Sequence, residues 1–402
     1  MQNNRTMRFT DYIVYVSAVI LTEFLGWRYV GPLSIRNLGI LLVIAFLIYR
    51  GWKYDSRLFR SFKYLIFYFA FIAILGFFNG LYIDSGTTLV FARFLPTIVL
   101  FCLTLHIIQD DSSMSHVIFF LLVLMAFDAV VTILQGIGNP IGWACYSFFQ
   151  NPELESEYGD IDSSIGYSIA SGINGSVVGN GFFLTALGLY FWYPYYKKQT
   201  IISFFFSLVL SLLCIIALFY NQQRLSFYVY IFFVIFTLFY FLPYSGKVLP
   251  VLSLVIFSVL FVVWGLDFIS SLDAGRLANV TNDDITERHI AHQRFYHDFL
   301  PVHFLTGDRH EFINMYGQTP HNIIIETLLL GGIGGFLIFF LFILSFCKRC
   351  LKSFKRSSTL FALQSIAILL ISWEHSTGFH TGMTLGAYVF AIYEKSQQIY
   401  NH

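Results

Sequence analysis

The 402-residue chain is 57% hydrophobic and 19% aromatic but only 12% charged, and its formal net charge is +1. Soluble domains carry about 25% charged residues, so a water-soluble globular fold is excluded and lipid must replace much of the solvent. The near-neutral balance, with no basic stripe outside short loops, gives no footing for a nucleic-acid partner.

Apolar runs fall at residues 11–27, 36–50, 62–80, 88–107, 115–137, 175–195, 201–221, 225–243, 248–268, 322–346, 358–373 and 379–393. They are long enough to cross about 30 Å of hydrocarbon, apart from the short second and twelfth. Backbone groups in lipid must be satisfied within each segment, so these runs predict helices. The expected fold is all-α: a polytopic integral membrane protein of about twelve transmembrane helices, one membrane domain over residues 1–402. No small-residue cleavage site follows the first run, which is therefore expected to remain as a span.

Lysine and arginine placement sets the expected orientation. With a cytoplasmic N-terminus, 16 of the 24 basic residues, including every lysine, fall on the inner side. The remaining eight are all arginines: Arg28, Arg36, Arg93, Arg224, Arg276, Arg288, Arg294 and Arg309. Only the turn at 109–115 breaks the bias, being acidic at Asp110 and Asp111. Both termini are thus expected in the cytoplasm. Two outward segments then exceed a simple turn: residues 138–174, acidic and without Lys or Arg, and residues 270–320, with four arginines and five histidines. Long loops on one face are where binding and catalysis concentrate.

The sharpest local pattern is Thr319-Pro320-His321-Asn322 leading into an apolar helix. Thr319 is expected as its N-cap and Pro320 at its first position, which puts His321 in the first turn. The positive end of the helix dipole would keep that imidazole neutral and usable as a base. Asn322 and Glu326 share a face at i, i+4 spacing, and a carboxylate at that depth is expected to face the protein interior. The glycines at 331, 332, 334 and 335 read as a small-residue patch for close helix packing.

Arginine without lysine on the outer side suits a phosphate ligand, because the planar guanidinium grips phosphate oxygens as a fork and keeps its charge when desolvated. Arg93, Arg224, Arg288 and Arg294 are the candidates, with His292 between the last two. Asp128 and Glu23, inside their spans, are either functional or structurally paired. The Asp160-Ile161-Asp162 run resembles the D-x-D that binds metal in nucleotide-sugar transferases, but nucleotide sugars are not available outside the cytoplasm and the surrounding loop is generally acidic. The histidines at 289, 292, 297, 303 and 310 come with no cysteine and no helical H-E-x-x-H, so neither a metal nor another cofactor is expected. Among the five cysteines, Cys347 and Cys350 form a C-x-x-C at a helix end, separated by Lys348 and Arg349, and are not expected to be a redox pair.

The run His321-Asn322-x3-Glu326-x5-Gly332-x2-Gly335, entering a membrane helix after a large outward loop, resembles the motif shared by bacterial O-antigen polymerases (Wzy-type) and O-antigen ligases. The turn Asn221-Gln222-Gln223-Arg224 and the Glu287-Arg288-His289 stretch look like the arginine-bearing loops that precede it. The acidic loop departs from the pattern in having no arginine. The resemblance implies a glycosyltransferase of the bacterial inner membrane that needs no metal. It would polymerise undecaprenyl-diphosphate-linked oligosaccharide repeats of O-antigen or capsule at the periplasmic face. Under it, His321 is the base, with Arg224 and Arg288 at the diphosphate; Arg93, Arg294, His292, Asn322 and Glu326 bind substrate. The expected partners are the lipid-linked oligosaccharide, the bilayer and a chain-length regulator protein. A ligase using the same donor and a lipid-linked oligosaccharide flippase are the alternatives.

Overall fold

The structure, a computed structural model, describes residues 9–25, 29–30, 33–52, 63–78, 85–149, 170–173, 177–241, 290–317, 322–353, 358–372 and 376–400. The expected span at 248–268, residues 150–169 of the first long loop and residues 270–289 of the second lie outside these residues. What is described is helical, apart from a two-residue hairpin, Tyr29–Val30 with Leu33–Ser34. The chain enters through α1 (Phe9–Val19), which continues as a π turn, then α2 (Ile35–Tyr49), α3 (Lys63–Phe78), α4 (Ser85–Ile107) and α5 (Asp111–Gly136). There follow α6 (Pro140–Phe149), α7 (Val177–Gly188), α8 (Tyr193–Lys198), α9 (Ile201–Asn221) and α10 (Arg224–Phe241). After the short helices α11 (Leu300–His303) and α12 (Arg309–Tyr316) come α13 (Ile323–Ser353), α14 (Thr359–Ile371) and α15 (Ser376–Tyr400).

Three of these, α5, α9 and α13, are long and apolar enough to cross a membrane, and five shorter apolar helices accompany them. Their composition explains the arrangement. Large apolar side chains such as Phe119, Phe206 and Leu344 stay exposed where a soluble protein would bury them. Inside, α15 packs along α4 and α7, α9 along α5, and α13 along α3.

Lipid supplies no hydrophobic drive between helices, so close packing and interhelical hydrogen bonds hold the bundle. Tyr230 Oη donates to Gly188 O at 3.2 Å, and a Cβ at Gly188 would lie 2.3 Å from the Tyr230 ring. Between α7 and α8 the chain tightens into a 3₁₀ turn, Leu189–Trp192. Gln364 of α14 serves this break: its Oε1 accepts from Leu189 N at 2.9 Å and its Nε2 donates to Thr185 O at 3.0 Å. An irregular backbone stretch inside a membrane bundle needs such a partner.

The two long segments between apolar runs hold more regular structure than their polarity suggests. The acidic stretch contains α6, packed on α5, and the large loop contains α11 and α12 with a π turn, Phe295–Phe299, ahead of them.

Candidate functional site

The site forms where the end of the large loop meets α13. The first turn of that helix starts later than the sequence spacing suggests. Asn322 is the cap, its Oδ1 accepting from Ile324 N at 2.9 Å and Ile325 N at 3.3 Å. The cap that the structure describes is thus Asn322, three residues after the expected Thr319. An asparagine directly ahead of the apolar run satisfies two of the orphan amides itself, and the helix begins at Ile323. Thr319, Pro320 and His321 lie outside the described residues.

One turn on, Glu326 N donates to Asn322 O at 2.9 Å, and the Glu326 side chain is fully buried, as the cost of a carboxylate in lipid requires. Its partner is Arg309 of α12, whose Nε donates to Glu326 Oε1 at 2.5 Å. Glu326 Oε2 is buried without a hydrogen-bond partner among the described residues.

The backbone that delivers Arg309 is pinned into a break in α13. Gly332 has φ 56° and ψ −158°, outside any helical conformation, and Ile333 N turns to donate to Phe304 O at 2.9 Å. Opposite it, Gly307, at φ 65°, lies so close to α13 that a Cβ there would be 2.4 Å from the carbonyl oxygens of Leu328 and Leu329. Residues 304–308 thus fill the interruption and lead directly into Arg309. The reading of the glycine patch is corrected in part. Gly331, Gly334 and Gly335 do pack against Phe71, Ile72 and Tyr68 of α3, whereas Gly332 breaks the helix.

A small apolar core holds the assembly together: Phe295, Phe299 and Phe312 of the loop with Ile325, Leu328 and Leu329 of α13. Arg294, exposed, lies over the Tyr316 ring at 5.4 Å, and Tyr316 packs on Phe312. His292, half-buried, is on the same helical stretch. Arg294, His292, Asn322 and Glu326 are therefore brought to one loop-and-helix assembly. Arg224 opens α10 and Arg93 sits within α4, but their side chains, like Arg288 and His321, are outside the described residues.

Arg309 is the member that sequence reasoning left in the pool of outward arginines without singling out. Its signal was available: a buried glutamate needs a cation, and the loop directly ahead of its helix carries one. Two of the remaining loop histidines are engaged singly. His303 stacks on Phe299 at 4.2 Å with Nε2 3.3 Å from Glu311, and His310 meets Asn314 at 2.7 Å. Among the described residues no three His, Cys, Asp or Glu side chains gather as metal ligands.

Asp128 belongs to a different, structural network. Its Oδ1 accepts from Ile173 N at 2.8 Å, and Asn180, with its amide nitrogen turned to the carboxylate, donates to Oδ2 at 2.5 Å. Gln135 clamps Gly172 from both sides, accepting from its N at 2.9 Å and donating to its O at 3.0 Å. Asn221 Nδ2 donates to Ala170 O at 2.8 Å. The group anchors the re-entering end of the acidic loop between α5, α7 and α9. Glu23 is similarly occupied, its Oε1 accepting from Tyr388 Oη at 3.3 Å. The five cysteines are free thiols, Cys347 and Cys350 included. No family model matches the chain, and no curated protein sequence is significantly similar to it.

Proposed function

We propose that this protein is a glycosyltransferase of the bacterial inner membrane that polymerises undecaprenyl-diphosphate-linked oligosaccharide repeats at the periplasmic face. The observation that carries the reading is the Arg309–Glu326 pair beneath the capped start of α13, with the loop docked into the break at Gly332. Three positions of the motif noted above, Asn322, Glu326 and Gly332, thereby each have a distinct part in a single site. The arrangement suits transfer from a lipid carrier. It lies at the end of a membrane-crossing helix, where a lipid diphosphate and a water-borne sugar hydroxyl can both arrive.

In this proposal His321, next to the Asn322 cap, takes the proton of the attacking hydroxyl. Arg288 and Arg224 hold the diphosphate and stabilise the charge developing on it as the glycosidic carbon leaves for the acceptor. Asn322 keeps its Nδ2 group for the sugar, and Arg294, His292 and Arg93 line the approach. Glu326 fixes Arg309 and with it the loop.

The same proposal includes twelve spans, both termini cytoplasmic, and periplasmic loops at 138–174 and 270–320. Polar contacts between elements support that order. Arg50 with Asp11, Lys197 with Asp111 and Arg349 with Glu394 each join two ends that the positive-inside count assigns to the cytoplasm. Arg36 with Thr22, Asn221 with Ala170 and Arg309 with Glu326 each join two ends assigned to the outside.

Complementation of a polymerase-deleted strain with His321→Ala and Arg288→Ala tests the chemistry. Confirmed expression with lipopolysaccharide stopped at core plus one repeat supports polymerisation by this site. Bare core with lipid-linked polymer accumulating points to ligation. Normal ladders from both variants refute the site. One observation favours a second reading: a discontinuous helix, as α13 is at Gly332, is also how transporters hold a substrate. Loss of lipid-linked repeats from the outer leaflet in the Arg309→Ala strain would move that reading ahead.

A further inference from the structure

At the opposite end of the bundle, a groove of about 710 Å³ runs between α5 and α9 under the cap made by α8. Its walls are apolar, with Phe119, Val123 and Phe206 exposed and Ala126 at the deep end. From Ser115 to Ala126 it follows twelve residues of α5, a rise of roughly 16 Å. That matches one leaflet, half of about 30 Å of hydrocarbon.

The mouth is polar and basic. Lys197 Nζ is held by Asp111 at 2.8 Å and by Ser115 at 2.5 Å. Asp110 is turned back into its own cap with Ser113, whose hydrogen bonds keep its carboxyl below the usual aspartate range. Lys198 lines the same mouth, exposed and without a partner among the described residues. Lys197 is thus paired with Asp111 and Asp110 is held in its own cap, which leaves Lys198 as the lysine of the mouth that holds no carboxylate among the described residues.

We propose that this groove is a binding site for one acyl chain of a phospholipid with a single net negative charge, its phosphate at Lys198. The length fits a leaflet, the walls fit an alkyl chain, and the Lys198 ammonium, in contact with no carboxylate among the described residues, fits one anionic head group. The site rests on the membrane character of the helices and is independent of the glycosyl-transfer reading.

Native mass spectrometry of the full chain, released from nanodiscs of equimolar phosphatidylglycerol and phosphatidylethanolamine, tests it. One lysine at a charged lipid surface corresponds to about fivefold in binding, so wild type should retain one phosphatidylglycerol at about fivefold preference. Lys198→Gln should bring the preference to about onefold, leaving occupancy in place. Val123→Trp, which fills the groove from an exposed position, should lower the occupancy of both lipids. Equal retention of the two lipids by wild type overturns the proposal. So does a preference unchanged by Lys198→Gln, or an occupancy unchanged by Val123→Trp.

Discussion

Replacing either of two adjacent glycines in α13 by alanine should have opposite effects. Gly332 holds φ 56° and ψ −158°, a region that essentially only glycine enters, and forcing another residue there costs about 1–3 kcal/mol. The new Cβ would also fall 2.1 Å from Leu305 O, a backbone atom that cannot swing aside. Moving residues 304–308 away breaks the Ile333–Phe304 bond and leaves the amide of half-buried Ile333 unpaired inside the helix break, a further 1–3 kcal/mol or so. Gly332→Ala should therefore lose about 2–6 kcal/mol, a large part of the 5–15 kcal/mol that is typical of a whole fold. At Gly331 the added Cβ would rest 3.5 Å from Ile72 Cγ1, an ordinary contact on a helical backbone. Gly331→Ala should be neutral or gain about 0.5–1 kcal/mol. Thermal melting of the detergent-solubilised proteins, read by size-exclusion fluorescence, separates them: at about 2 °C per kcal/mol, Gly332→Ala should melt at least about 4 °C lower. Equal melting of Gly332→Ala and wild type, or equal damage from Gly331→Ala, would refute the broken-helix account.

Breaking the ion pair by Arg309→Ala should cost about 3–5 kcal/mol, because it strands a fully buried carboxylate. The double variant Arg309→Met with Glu326→Leu should recover most of that stability while losing transfer activity; melting and a lipopolysaccharide gel read the two effects apart. Gly172→Ala should destabilise by about 1–3 kcal/mol or more, since φ is +60° and the Cβ would meet Asp128 Oδ1 at 2.3 Å. Limited proteolysis of the re-entering loop end should then accelerate. Asp110→Ala should cost about 1 kcal/mol through loss of the capping box at α5. The carboxyl of Asp110 is held low by the backbone and side-chain hydrogen bonds of Ser113. Its contribution should therefore be complete above about pH 4, the ordinary aspartate value, and vanish as pH falls through the lowered folded value. Melting of wild type and variant should differ at pH 7 and converge in strong acid.

The helical membrane character was legible because composition leaves no other class, and the start and end of α5 and α9 follow their apolar runs within a few residues. What was not legible depends on partners distant in sequence. The 3₁₀ turn at Leu189 carries no Gly or Pro, and the residue that makes it possible, Gln364, lies 175 positions on. Asp128 could not be assigned from its own segment, since one of its donors is a backbone amide, Ile173 N. Four glycines in one helix look alike in sequence, but only Gly332 faces a turn that can enter the helix, and that turn depends on Gly307. The Asn322 cap was missed because Thr319-Pro320 is itself a good start signal, and two good signals three residues apart compete. Burial of Glu326 followed from cost alone. The choice of Arg309 over the other outward arginines required the docked loop.

Purified protein in nanodiscs, supplied with undecaprenyl-diphosphate-linked repeat units, provides the most direct test of the central claim. The account predicts chains of two and more repeats on one lipid, one undecaprenyl diphosphate released per bond formed, and neither product from His321→Ala that is folded by melting. Folded wild-type protein that leaves the repeats unjoined would contradict it.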